Sequence, residues 1–166
     1  MPEEVSHHMS QPATIRSASL SEAEAIAAVI RASFATVAEE IGADIPPLHE
    51  TADDVRATFA AGDAVLIATV DGIAVGTVRG ETMDGGGIMV RRLAVLPGHR
   101  GRGIARSLML ALEREYPGVE RFELFTGEMA KGPIALYESL GYVMVKPRQE
   151  TDFPLVWFEK RCARDG

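Results

Sequence analysis

The feature that most restricts how this chain can fold is a change of hydrophobic period near residue 100. From Ile88 to Leu96 the run Ile-Met-Val-Arg-Arg-Leu-Ala-Val-Leu reads as a strand, stopped by Pro97-Gly98. From Gly101 onward Ile104, Leu108, Ala111 and Leu112 return at helical spacing, as far as about Tyr116. Pro117-Gly118 ends that helix, and Phe122 to Thr126 reads as a further short strand. A strand–helix–strand unit of this kind has to be built in layers, with the helix packed on a sheet.

The flanking segments fit the same plan. Ala64 to Val70 and Ile73 to Val78 are apolar runs joined by Asp71-Gly72, a strong hairpin signal. Thr14 to Ala18 reads as a strand. Ser21 with Glu24 predicts a capping box at the start of a helix carrying Ile26, Val29, Ile30 and Phe34. Gly42 and Pro46-Pro47 break the pattern, and Thr51 with Asp54 predicts a second cap for a helix to about Ala61. Pro133 suits the first turn of a helix with Ile134, Leu136, Tyr137 and Leu140, which Gly141 would end. Tyr142 to Val145 and Phe153 to Glu159 are the closing strands. The fold class is therefore α+β with a mixed sheet. Residues 13–162 are expected to form one domain, 1–12 a disordered leader with Met9 an equal candidate start, and 163–166 a tail.

Composition narrows the function. The chain has 166 residues and a net charge of −7, which argues against general nucleic-acid binding and suits a cationic partner such as an amine. No apolar run is long enough to span a bilayer, so no membrane partner is expected. The single cysteine, Cys162, points to a reducing cytoplasm and lies outside every motif, so it is not a candidate nucleophile. His7, His8 and His49 lack metal-ligand spacing, His99 reads as a solvated turn residue, and no metal is expected.

Against that acidic background Arg91, Arg92, Arg100, Arg102 and Arg106 cluster around the turn. The first amides of a helix lack intrahelical acceptors and carry the positive end of its dipole. Gly101 and Gly103 let a ligand approach the backbone closely. Such a turn binds phosphate, with arginines available at its rim. A Walker loop needs Gly-Lys-Ser/Thr, which is absent, and the dinucleotide fingerprint needs a glycine where Arg106 stands.

The segment Arg100-Gly101-Arg102-Gly103-Ile104-Ala105 resembles the Arg/Gln-x-x-Gly-x-Gly/Ala pattern of the GNAT superfamily of N-acetyltransferases. Leu93, Val95 and Pro97 match that family's lead-in, and Leu136-Tyr137-Glu-Ser-Leu140-Gly141-Tyr142 matches its second segment. The close likeness covers about Ile88 to Tyr142. It implies a three-layer α/β/α fold whose central mixed, mostly antiparallel sheet is splayed at the acyl-CoA site. It implies that the backbone at Leu93, Ala94 and Val95 holds the pantetheine arm, and that amides from Gly101 through Arg102, Gly103, Ile104, Ala105 and Arg106 hold the pyrophosphate. The amide of Val95 would polarise the thioester carbonyl, and Tyr137 would be the catalytic residue that protonates the leaving thiolate. Arg100 fills the motif's first position. The donor implied is acetyl-CoA and the acceptor a small-molecule or peptide amine; a monomer and a homodimer are both compatible.

The sequence departs from the family at Ala130 and Pro133, where many members carry an asparagine that contacts the cofactor, so Lys131 or backbone groups would take over. Glu39, Glu40, His49, Glu50, Glu81, Arg92 and Glu128 are the charged residues placed where an acceptor or a general base could sit. A non-catalytic acyl-CoA sensor is the alternative function, and a nucleic-acid contact through the arginines ranks last.

Overall fold

Seven strands form one sheet in the order β1-β2-β3-β4-β5-β7-β6. They are β1 (Thr14–Ser17), β2 (Val65–Val70), β3 (Ile73–Thr82), β4 (Ile88–Val95), β5 (Arg121–Gly127), β6 (Val143–Val145) and β7 (Leu155–Arg161). The helices are α1 (Ala23–Ile41), α2 (Ala52–Ala60), α3 (Ile104–Arg114) and α4 (Lys131–Ser139). This computed structural model describes residues 12–162; the rest of the expected leader and the tail lie outside the described residues.

All neighbouring strands pair antiparallel except β4 and β5, which are parallel. The expected mixed, mostly antiparallel sheet is what forms. The β2–β3 hairpin turns on Asp71 and Gly72, both at positive φ (53° and 79°), the backbone a two-residue type I′ turn requires. β3 runs four residues past the expected Val78, because β4 continues to pair with it up to Thr82↔Ile88.

Two apolar clusters lie on opposite faces of the sheet. On one face Ile26, Ala27 and Ile30 of α1 and Val55 of α2 meet Val65, Ile67 and Ala94. On the other, Ile104, Leu108 and Leu112 of α3 and Tyr137 of α4 meet Leu66, Val78, Val90, Phe122 and Phe158. That gives the three layers. The full burial of Leu108, Met109 and Leu112 explains why the change of period in the sequence is so clear.

Helix starts show one agreement and one shift. Thr51 and Asp54 cap α2 reciprocally, with Thr51 N donating to Asp54 Oδ2 at 2.9 Å and Asp54 N to Thr51 Oγ1 at 3.2 Å. The box expected at Ser21 and Glu24 instead uses Ser19 and Glu22, around a short 3₁₀ turn before α1. Glu22 accepts from Ser19 N at 2.8 Å and is gripped by Arg16 at 2.7 and 2.9 Å. The ion pair with Arg16 supports the earlier register. α1 itself continues to Ile41 and ends on Gly42 at φ 65°.

Candidate functional site

The β4–β5 junction is the structural basis of the site. Only two rows pair, Ile88↔Phe122 and Met89↔Glu123, although β4 runs on to Val95 and β5 to Gly127. Beyond Met89 the two strands therefore diverge and a gap opens. The divergence begins beside an irregularity in β4. Thr77 pairs with Ala94 and Arg79 with Arg91, so three steps on β4 match two on β3. The extra residue is a β-bulge. It is accommodated by Arg92, which adopts φ 55°, an uncommon conformation for a side chain other than glycine, asparagine or aspartate.

The end of β4 is fixed by peptide geometry. Leu96 N donates to Val75 O of β3 at 2.9 Å. A trans peptide then sends Val95 C=O the opposite way, away from β3. Antiparallel alternation turns Val95 N–H to that side as well. The Val95 carbonyl is already occupied: Ser33 Oγ donates to it at 3.1 Å and Arg100 Nε at 3.0 Å. The expectation that Val95 offers both backbone groups to a pantetheine arm is thus narrowed to its N–H.

The turn after β4 has the open backbone expected of it. Gly101 and Gly103 have φ 78° and 79°, and a Cβ at either would meet nothing within 4 Å. The glycines serve backbone conformation, since no neighbouring atom would obstruct a side chain. Gly103 is the N-cap of α3 and supplies no side-chain cap. Ser107 N, bonded to Gly103 O at 3.0 Å, is the first α3 amide that finds an acceptor. The amides of Gly101, Arg102, Gly103, Ile104, Ala105 and Arg106 have no backbone acceptor among the described residues. This row of unfilled donors at a helix start suits an anion.

The three arginines of the turn are used differently from one another. Arg100 folds inward, where its Nη2 donates to Ser33 O at 3.0 Å and Ser33 Oγ at 3.2 Å. It fastens α1 to the end of β4 while the residue stays exposed. Arg102 is exposed beside His99, and Arg106 reaches Ser139 Oγ at the end of α4 at 3.1 Å. Leu93 is half-buried, whereas Ala94 and Ile104 are buried.

Tyr137 of α4 is buried, with its ring 6.2 Å from those of Tyr142 and Phe158. Its hydroxyl has no hydrogen-bond partner among the described residues. Burial drives its pKa well above the ordinary tyrosine value, so the phenol stays protonated at neutral pH. Tyr142 differs, since its hydroxyl donates to Glu113 at 2.9 Å.

On the α1/α2 face lies a charged cluster of which the sequence reveals only parts. Glu50, 2% exposed, accepts from Arg79 Nη1 at 2.6 Å and Arg92 Nε at 3.0 Å, and Arg31 Nη1 donates to its backbone carbonyl at 2.6 Å. Glu50 is a candidate amine ligand or base by sequence; in the fold two guanidiniums already occupy its carboxylate. Glu81 lies 3.3 Å from Arg79 Nε and 3.7 Å from Arg91 Nη1. Arg79, Ser33 and Phe125 carry no sequence signal of their own, because their partners lie far away along the chain. Glu39, Glu40 and Glu128 are exposed, His49 pairs with Asp44 at 2.7 Å, and Lys131 is exposed at the start of α4. Among the described residues no group of three or more His, Cys, Asp or Glu could hold a metal.

A splayed parallel seam that ends at an uncapped helix start has the shape and the free donors that suit an extended ligand with an anionic end. Residues 61–144, just over half the chain, match the family model for the acetyltransferase (GNAT) domain. The chain belongs to that acetyltransferase family. Solved structures agree on the fold. The PaiA N-acetyltransferase of Thermoplasma acidophilum, in complex with coenzyme A, superposes with a TM-score of 0.78 at 16% identity, over 92% of this chain and 100% of that one. The ribosomal-protein-S18-alanine N-acetyltransferase of Escherichia coli gives 0.74 at 20% identity, over 93% and 97%. yncA of Salmonella typhimurium, a putative acetyltransferase with acetyl-CoA, gives 0.69 at 22% identity, over 90% and 93%. No curated protein sequence matches the chain.

Proposed function

We propose that this protein is an N-acetyltransferase that takes the acetyl group of acetyl-CoA and passes it directly to a primary amine in a ternary complex. The observation that carries the reading is the open seam between β4 and β5, continuous with the unfilled amides of residues 101–106. Two of the fold relatives were solved with coenzyme A or acetyl-CoA bound. The residues fit such a molecule: a strand edge for an amide-bearing arm, then helix-start donors for a diphosphate.

When bound, acetyl-CoA supplies an activated acyl carbon. Val95 N–H faces the gap and would polarise the acyl oxygen. Leu93 and Ala94 would align the arm along β4. Gly101 to Arg106 would neutralise phosphate charge through backbone donors, with Arg102 and Arg106 at the rim. Tyr137, protonated and without an internal hydrogen-bond partner, would give its proton to the leaving sulfur. Direct transfer asks for no enzyme nucleophile, so Cys162 takes no part. The cytoplasmic assignment rests on that single cysteine.

The test is thiol release from acetyl-CoA across a panel of amines, with acetyl-CoA affinity measured separately by calorimetry. Amine-dependent thiol release is expected. Tight acetyl-CoA binding with no release for any amine would make the protein a sensor of the metabolite instead.

A further inference from the structure

The cluster on the α1/α2 face bears on which amine is accepted. β4 and β5 stop pairing at Met89 and Glu123. The next residues on this face, Arg91 and Phe125, meet across the opening gap, with the guanidinium carbon 5.6 Å from the ring centroid. Arg91 is assigned to this face because it pairs with Arg79, which reaches Glu50 there. Phe125 shares the face because Phe122 and Leu124 belong to the opposite core. Arg91 thus lies across the mouth of the gap, on the side away from α3.

Its charge is poorly answered. Arg31, Arg79, Arg91 and Arg92 bring four guanidiniums together, against the carboxylates of Glu50 and Glu81 and the more distant Asp54, whose charge acts on Arg79 and Arg92. Glu50 is saturated by Arg79 and Arg92. Glu81 is shared, and its 3.7 Å approach to Arg91 is too long for a hydrogen bond. Arg91 makes no hydrogen bond among the described residues, so its N–H donors are unfilled. Arg79 Nε is buried without a hydrogen-bond partner, which leaves the cluster short of acceptors a second time. Partial burial lowers the pKa of Arg91; Glu81 and, less, Glu50 oppose the shift while Arg92 and Arg79 add to it, and a further anion would relieve what is left. A guanidinium over an aromatic face keeps its fork of donors free in its own plane, where a carboxylate can dock with two bonds.

We propose that the acceptor is an amine that also carries a carboxylate, and that Arg91 at the mouth of the gap binds that carboxylate. The proposal rests on the acetyltransferase reading. Arg91 is thereby a specificity-determining residue: it holds the acceptor while the amine reaches toward Val95. A surplus of positive charge in a protein of net charge −7 makes this one patch selective for an anion. Phe125 and Trp157, with ring centroids 4.8 Å apart, offer apolar surface beside it.

The test compares leucine and phenylalanine with their carboxamides and their decarboxylated amines, in thiol release from acetyl-CoA and in calorimetric binding to the free and the coenzyme A-saturated protein. The free amino acids are expected to have at least about tenfold higher kcat/KM than the matched amides. Arg91→Gln should cut that preference about tenfold, mainly through KM, and Arg91→Lys should restore part of it. Equal or better use of the amides or amines overturns the proposal, as does a preference that survives Arg91→Gln. Absence of carboxylate binding to both forms of the protein also overturns it. Coenzyme A affinity of each variant reports its folding. If acetyl-CoA itself fails to bind wild-type protein, the acetyltransferase reading fails, and the titrations of free protein still decide the carboxylate site.

Discussion

The arginines beside the helix start and the arginines on the central strands are used in opposite ways. In the turn the backbone is left open: amides 101–106 lack acceptors, while Arg100 is spent on Ser33 and Val95. On the strands the backbone is largely committed to the sheet, and the side chains of Arg79, Arg91 and Arg92 carry the chemistry. The first region recognises charge through peptide groups that any sequence possesses, provided glycine permits their exposure. The second recognises charge through side chains delivered from α1, the loop before α2, β3 and β4. A local motif can encode the first; only the tertiary fold can assemble the second.

Breaking the side-chain region should have the largest effect. Glu50→Ala would leave Arg92 without its carboxylate and Arg79 with only the contact to Glu81, at a cost of about 3 kcal/mol in urea unfolding. Loss below about 1 kcal/mol would mean that the cluster is hydrated and weakly coupled. In the backbone region Gly103→Glu places a carboxylate beside the phosphate site and should weaken acetyl-CoA binding by about 3 kcal/mol, roughly a hundredfold. The φ of 79° adds about 1–2 kcal/mol of strain to folding, so circular dichroism must accompany the calorimetry.

Tyr137→Phe tests the link between the two regions. It should lower kcat about a hundredfold with acetyl-CoA affinity retained. Because burial raises the phenol's pKa, its deprotonation should not depress the wild-type rate on the basic side up to about pH 10. Ser33→Ala removes one donor from Val95 O and should cost about 1 kcal/mol. The smallest effect is expected at Glu22, whose pKa is held at about 2, chiefly by Arg16. A carboxylate lowered in the folded state stabilises above its unfolded pKa and loses that contribution as pH falls toward 2. Glu22→Gln should flatten acid unfolding between about pH 4.5 and 2, by less than about 1 kcal/mol because the pair is partly exposed.

The same contrast separates what is legible in the amino-acid sequence from what is not. Strands, helices and the glycine turn are legible because each depends on periodicity or on one residue's conformational freedom. The hairpin at Asp71-Gly72, the cap at Thr51 and the start of α3 all appear where expected. The cap at Ser19 falls two residues ahead of the expected Ser21, and its Glu22 is held by Arg16 on a strand outside the helix, a contact no local pattern reveals. Glu50, Glu81 and Arg92 stand out as charged candidates, but nothing local joins them to one another. Arg79 and Arg91 face each other only because of strand pairing, and Phe125 meets Arg91 only because β4 and β5 diverge.

The bulge at Arg92 has a consequence for how this chain can change over generations. Arg91 and Ala94 stand three residues apart, an odd number that a regular pleat would send to opposite faces, yet both face α1 and α2. The additional residue corrects the parity. Substitutions in β4 alter one side chain each; removing the additional residue would leave two steps on β4 against two on β3, a regular ladder that keeps the faces and loses the bend at Arg92. A lineage that lost the additional residue between Arg91 and Ala94 would therefore keep both cores and lose the kink beside the gap, whereas one that lost a residue from a regular part of the strand would turn the following side chains over.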